Sequence, residues 1–288
     1  MHSRTRDLGR FVAPVLICGG AYSNLEALEA LFAAADRLGI PNDHVLHTGD
    51  VIAYCADAAA TAELLRARGA PAIQGNVEES LAASLPDCGC GFNEGSVCDK
   101  LAAEWFAYAD AHTGTELRRW MGQLPHHLTF ELAGLRIRAV HGSVQEVNRF
   151  LFASQPDSVF DAEFAHAGAD IVVAGHSGIP FTRRVGGRVW HNSGSVGLPA
   201  NDGTPRVWFS VLTPEDGGIR IEHHAFDYDH ELTKSKMLAA GVCTEYAETL
   251  SSGLWPSLDV LPDMERRATG EPLDLGEPVF CETQRISA

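Results

Sequence analysis

The chain has 288 residues, 45% of them hydrophobic and 21% charged, a globular composition long enough to bury a sizeable core. Its net charge of −16 and pI near 5.1 argue against broad nucleic-acid binding, which needs a cationic surface. No apolar run reaches the length of a membrane span, and the polar start leads into an apolar stretch too short for a signal peptide, so a cytoplasmic location is expected. With no export signal, the seven cysteines are expected to be thiols rather than a disulfide framework.

In chain order, Val15-Leu16-Ile17 is a short strand entering the turn Gly19-Gly20-Ala21-Tyr22, and Leu25, Leu28 and Leu31 announce an amphipathic helix after Ser23 or Asn24. His44–His47 is a second strand, running into T-G-D-V, and Asp57 caps a helix through T-A-E-L-L-R-A. Pro71–Gln74 is a third strand, ending at G-N-V-E, and a cysteine loop with Cys88, Cys90 and Cys98 follows. Two helices are predicted near Lys100–Ala111 and Thr115–Gly122. Leu128–Leu132 and Leu135–Val140 then alternate as a hairpin ending at V-H-G-S.

A helix near Asp157–Ala167 leads to the buried-type strand Ile171–Ala174 and G-H-S-G. Phe181–Val185 and Arg188–Trp190 flank Gly186-Gly187 as a second hairpin, ending at H-N-S-G-S-V-G. Arg206–Leu212 and Ile219–Phe226 pair across a glycine turn, and two helices continue to about Leu250. We read one domain over residues 1–250 and an irregular Pro- and Gly-rich tail over 251–288, packed on it or partly disordered.

Five predicted strands end in a small polar motif, at Asp50, Asn76, His141, His176 and Asn192. Each pairs an oxygen or nitrogen donor with glycine, which lets the backbone turn sharply toward a common point. Asp, Asn and His are what a hard or borderline divalent metal takes. A lone Asp or His would be unremarkable. Five in order are not.

This order resembles the calcineurin-like metallophosphoesterases, especially their small bacterial and archaeal phosphodiesterase branch. That family carries D-x-H-(G)-N, G-D-x-x, G-N-H/C-D/E, a lone His after a strand, G-H-x-H and a closing N-P-G-S loop. Here G49-D-V-I, G75-N-V-E, V140-H-G-S, G175-H-S-G and N192-S-G-S-V-G fall in that order, over roughly Val15 to Phe226. The resemblance implies an α/β fold, a four-layer α/β/β/α sandwich of two mixed sheets, with a two-metal site at the strands' carboxyl ends. It implies Asp50 as the carboxylate bridging two metals, with Asn76, His141 and His176 completing the second site. Asp50 and His141 would then stand at the catalytic centre.

The departures matter as much. Gly20 and Tyr22 stand where the family has the Asp and His of D-x-H, and Gly178 replaces the second His of G-H-x-H. Three ligands of one metal are missing together while those of the other remain. Val77 stands where relatives carry a His or Cys beside the leaving group. One divalent metal per chain (Mn, Fe, Zn or Ni) is therefore expected.

Candidates for the lost metal's place are the Tyr22 phenol, His191 turned toward Gly178, and a metal or redox cluster drawn from Cys55, Cys88, Cys90 and Cys98. The cysteines read equally as small buried hydrophobes, since C-x-C-x7-C is no standard zinc pattern. Tyr22, Asn192 and Arg149 are candidates for substrate binding, with Arg183 and Arg184 as further phosphate contacts or ordinary surface residues. The expected activity is metal-dependent hydrolysis of a phosphomonoester or phosphodiester, weak on generic substrates. The alternatives are a non-catalytic sensor of a metal or phosphate ligand, and a scaffold that keeps only the fold. The expected partner is a phosphorylated small molecule, with neither nucleic acid nor membrane, and homo-oligomerisation left open.

Overall fold

The computed structural model describes residues 4–283. Its strands are β1 (Thr5–Phe11), β2 (Val15–Cys18), β3 (Val45–His47), β4 (His127–Leu132), β5 (Leu135–Ala139), β6 (Ile171–Ala174), β7 (Phe181–Val185), β8 (Arg188–Asn192), β9 (Val207–Glu215), β10 (Gly218–Phe226) and β11 (Val279–Glu282). The helices are α1 (Leu25–Arg37), α2 (Ala58–Arg68), α3 (Asn76–Ala83), α4 (Val97–His112), α5 (Thr115–Met121), α6 (Asp157–Ala167), α7 (His230–Ala240), α8 (Thr244–Ser252) and α9 (Asp263–Arg267). None of them is long and apolar enough to cross a membrane.

Two mixed sheets result, one ordered β1-β4-β5-β6-β8-β7 and the other β11-β10-β9-β2-β3. Side-chain alternation along each strand decides what lies on either side. Val15 and Ile17 of β2 pack against Leu128, Phe130 and Ile137 of the other sheet, forming the core between the sheets. Leu16 and Cys18, one residue out of phase, meet Leu28, Leu31 and Phe32 of α1 in a helix-covered core. Phe160 and Phe164 of α6 close the far face over Val172 and Trp190. Each fully buried Leu or Phe contributes about 1.5–3 kcal/mol, so both faces of both sheets must be covered. The outcome is the expected four-layer α/β/β/α sandwich.

The two hairpins form around the expected turns, Ala133-Gly134 and Gly186-Gly187. Arg184 pairs with Val189 across Gly186-Gly187, and both glycines have positive φ (53° and 80°), as a two-residue turn of this kind requires. Other local readings are corrected. Pro71–Gln74 forms no strand, only a single bridge from Ala72 to His47, since Pro71 has no N–H for a ladder. His44 ends a 3-10 turn over Asn42–His44, so the strand begins at Val45. Asp57 precedes α2 without capping it, because its carboxylate pairs with Lys236 at 2.7 Å. Helix α3 was not predicted, and α4 starts at Val97, where the Ser96 hydroxyl accepts from the Asp99 N–H.

Two strands escape sequence reading. β1 is mostly exposed and polar, and it is held by parallel pairing with β4. β11 pairs antiparallel with β10, after a stretch that otherwise holds only α9.

Candidate metal centre

β3 ends at Thr48-Gly49-Asp50, and the turn is tightly determined. Asp50 has φ +58°, a costly conformation for a residue with a Cβ. Gly49 has φ +91°, and a Cβ there would lie 2.7 Å from His141 Nδ1 and 2.8 Å from the Gly75 N. Buried Glu78, in the first turn of α3, holds this turn and its own together. Its Oε2 accepts from the N–H groups of Asp50 (2.7 Å) and Gly75 (2.8 Å), and its Oε1 from that of Val51 (2.8 Å). Burial and the Asp50 charge push its carboxyl up to about 7, against the pull of these N–H donors. Asp50 Oδ1 in turn accepts from the Val77 N–H at 3.2 Å.

Four side chains meet here, from the turns after β3, β5 and β6 and, for Asn76, from the first residue of α3, and three of them converge on one atom of the fourth. His141 Nδ1–H donates to the Thr48 carbonyl at 2.6 Å, which turns Nε2 inward. That Nε2 lies 3.0 Å from Asn76 Oδ1, 3.1 Å from Asp50 Oδ2 and 3.2 Å from His176 Nδ1. The Asn76 amide cannot reverse, because its Nδ2 donates to the Cys88 carbonyl (2.9 Å) and to Cys90 Sγ (3.4 Å). A lone pair, a carboxylate oxygen and an amide oxygen thus face each other in a buried space. Only a cation, or a proton in its stead, makes that arrangement favourable.

Electrostatics agree. Burial opposes a charge on His141, but the Asp50 carboxylate and the Thr48 carbonyl outweigh it and raise the imidazole above its ordinary range. Burial likewise opposes ionisation of Asp50, and His141 outweighs it, holding the carboxyl low. Burial, and then His141, drive His176 down to about 3, so its imidazole stays neutral, the form that ligates a metal. His176 also has φ +58°, and its Nε2 is buried without a hydrogen-bond partner. One carboxylate, one amide oxygen and two imidazoles fit a borderline divalent ion.

The calcineurin-like phosphoesterase superfamily domain matches residues 15–216, most of the chain and all four residues of the cluster. The chain belongs to the calcineurin-like phosphoesterase superfamily. This is a superfamily of hydrolases that act on phosphate esters with divalent metals.

The fold is similar to that of a hypothetical protein from Pyrococcus horikoshii OT3, with TM-score 0.72 and 16% identity over 84% of this chain and 99% of that one. It is also similar to a metallophosphoesterase from Sphaerobacter thermophilus, with TM-score 0.67 and 20% identity over 85% and 100%. At these identities the likeness is one of fold. No curated protein sequence matches the chain significantly.

Where the resemblance to other calcineurin-like phosphoesterases would place a first metal, the chain has aromatic rings. A Cβ at Gly20 would overlap the Tyr22 ring at Cε1 and Cζ. A Cβ at Gly178 would lie 3.2 Å from the Trp255 ring. Tyr22 packs edge-on to Tyr54 with centroids 4.9 Å apart, and Tyr54 lies 4.4 Å from Tyr246 of α8. These rings, with Phe92, Phe150 and Trp255, line a cavity of about 50 Å³ whose wall also contains His176. Sequence reasoning named Tyr22 alone. Tyr54 stands in G-D-V-I-A-Y-C and was legible there, whereas Tyr246 and Trp255 come from distant segments with no local signal.

The remaining candidates are dispersed. Cys88 and Cys90 are joined by a disulfide, correcting the expectation of thiols at these two positions; the turn at Gly89 (φ +64°) brings their Cα atoms to 5.3 Å. Cys98 lines the aromatic cavity, and Cys55 is packed in the helix-covered core with its N–H donating to the Tyr22 carbonyl. Among the described residues these cysteines form no ligand cluster with one another or with Asp50, His141 and His176.

His191 does not turn toward Gly178. It is fully buried between the sheets, bonded to Ser210 at 2.6 Å and to Thr182 at 2.8 Å. Asn192 braces the neighbouring turns, donating to the Gly175 carbonyl and accepting from the Gly194 N–H. Arg149 is paired with fully buried Glu163 at 2.8 Å, Arg183 with Asp157 at 2.6 Å, and Arg184 with the Phe280 carbonyl.

Proposed function

We propose that the chain hydrolyses a phosphomonoester or phosphodiester at a one-metal centre held by Asp50, Asn76, His141 and His176. The observation that carries this reading is the crowding of Asn76 Oδ1, Asp50 Oδ2 and His176 Nδ1 around His141 Nε2. When bound, a divalent metal supplies positive charge for a phosphate oxygen and lowers the pKa of an attacking water.

The chain's own residues set the geometry. Thr48 fixes the His141 tautomer, Glu78 fixes the Asp50 turn, and the Cys88–Cys90 loop fixes the Asn76 amide. Val77 has no proton to give a leaving group. That, together with one metal's charge instead of two, supports weak turnover on generic substrates. The same absent proton donor favours a second reading, in which the pocket senses a metal or phosphate ligand without turnover.

Elemental analysis of purified protein, with nitrophenyl phosphate mono- and diesters as substrates and added manganese, tests both. Hydrolysis that is lost in Asp50→Asn and His176→Ala is expected. Hydrolysis surviving those substitutions ends the enzyme reading, and metal bound without turnover favours the sensor.

A further inference from the structure

We propose that the hydroxyls of Tyr22, Tyr54 and Tyr246 form a binding site for the non-bridging oxygens of a phosphoryl group, taking the place of the first metal. The inference rests on the one-metal reading above. The edge of the Tyr22 ring, from Cδ1 through Cε1 to Cζ, lies 2.2–2.8 Å from the position a Cβ on residue 20 would take, so the phenol occupies the space of a side chain there. All three tyrosines line the cavity that borders His176.

The Tyr22 and Tyr246 side chains are only 5% and 6% exposed, yet none of the three hydroxyls bonds to a described residue, and their oxygens stay open to the cavity they line. A buried phenol ordinarily finds one. The rings cannot turn away, because Tyr54 is wedged between Tyr22 and Tyr246 and also packs 4.8 Å from Trp105.

Two serine hydroxyls in the cavity are already engaged. Ser177 Oγ donates to the Leu151 carbonyl at 2.7 Å, and Ser195 Oγ to the Leu198 carbonyl at 2.8 Å. Among the described residues no arginine or lysine lines the cavity. Burial raises all three phenols, so they stay protonated and act as donors. Neutral donors at the end of a low-dielectric cleft suit an anion whose charge is already met by one metal.

The test is calorimetric titration of inorganic phosphate into manganese-loaded protein, with Tyr22→Phe, Tyr54→Phe, Tyr246→Phe and the triple variant. Phenylalanine keeps each ring and removes only the hydroxyl. Each single variant is expected to bind phosphate roughly tenfold more weakly, and the triple variant at least a hundredfold, with manganese affinity within about twofold of the parent. Phosphate affinity unchanged in the triple variant overturns the proposal, as does a parent that binds no phosphate. A marked drop in melting temperature on losing a hydroxyl also overturns it, because the hydroxyl would then have a partner within the fold. Unchanged phosphate binding alongside intact hydrolysis removes the tyrosine site and leaves the enzyme reading. Tyrosine-dependent phosphate binding without any hydrolysis does the reverse.

Discussion

The Tyr22 ring lies across Gly20 so closely that no side chain fits at position 20 while the ring stays in place. A side chain at position 20 and the Tyr22 ring therefore exclude one another. Restoring the carboxylate alone should overpack the turn. Gly20→Asp is expected to lower stability by about 1–3 kcal/mol and leave metal stoichiometry at one. Gly20→Asp with Tyr22→His and Gly178→His is expected to bind a second equivalent, read by elemental analysis. Stoichiometry staying at one in the triple variant would show that more than the three ligands was lost.

Metal binding should stabilise the fold. Manganese at a hundredfold over its Kd contributes about 2.7 kcal/mol by mass action. A rise in melting temperature is expected for the parent and none for Asp50→Asn, which replaces the one carboxylate in the cluster. An equal rise in both would place the ion elsewhere, for example at Glu104, Cys243 and Glu245, the other close ligand group among the described residues.

The loop holding Asn76 should matter without touching the metal. Cys88 and Cys90 fix the Asn76 amide through a carbonyl and a sulfur. Cys88→Ser with Cys90→Ser is expected to weaken manganese binding about 10- to 100-fold, the usual cost of losing an orienting partner. Metal affinity equal to the parent's would show that Asn76 is oriented without the disulfide.

Acid should destabilise the sheet interface. His191 and His223 share the Thr182 hydroxyl between the sheets, at 2.8 and 2.9 Å. Burial holds His191 far below its ordinary range and His223 at about 4. Both are neutral when folded but take up protons near pH 6.5 when unfolded. Their contribution to stability is therefore complete above pH 6.5 and falls as the pH drops toward 4, by at most about 1.4 kcal/mol per pH unit for each histidine. The melting temperature should fall over that range, and His223→Gln should flatten the slope by about one proton. An unchanged slope in that variant would assign the acid lability to other groups.

Glu78 should act through backbone alone. It accepts three N–H groups, and Glu78→Gln presents an amide donor to some of them. A loss of about 1–3 kcal/mol is expected in chemical denaturation, with metal affinity reduced because the Asp50 turn loosens. Stability within 0.5 kcal/mol of the parent, roughly the scatter of a surface substitution, would contradict this role.

The donors of the cluster were written locally, in short motifs that set glycine beside Asp50, Asn76, His141 and His176. Each motif spans about four residues, and its backbone turn is determined there. Their order along the chain was enough to expect the four-layer fold and a surviving half of a metal site. Even the facing of His191 was legible, since Val189 points between the sheets and period-2 alternation sends His191 the same way.

Other features had no local trace. β1 carries no apolar pattern and exists because the edge of β4 offers it hydrogen bonds. The three facing phenols arise because α8, almost two hundred residues downstream of Tyr54, packs back over the Asp50 turn. Periodicity and turn chemistry act between neighbours in sequence, and they decided which donors the chain has. Which donors meet, and what fills the space between Gly20 and Gly178, depends on packing between distant segments, and only the tertiary structure decided it.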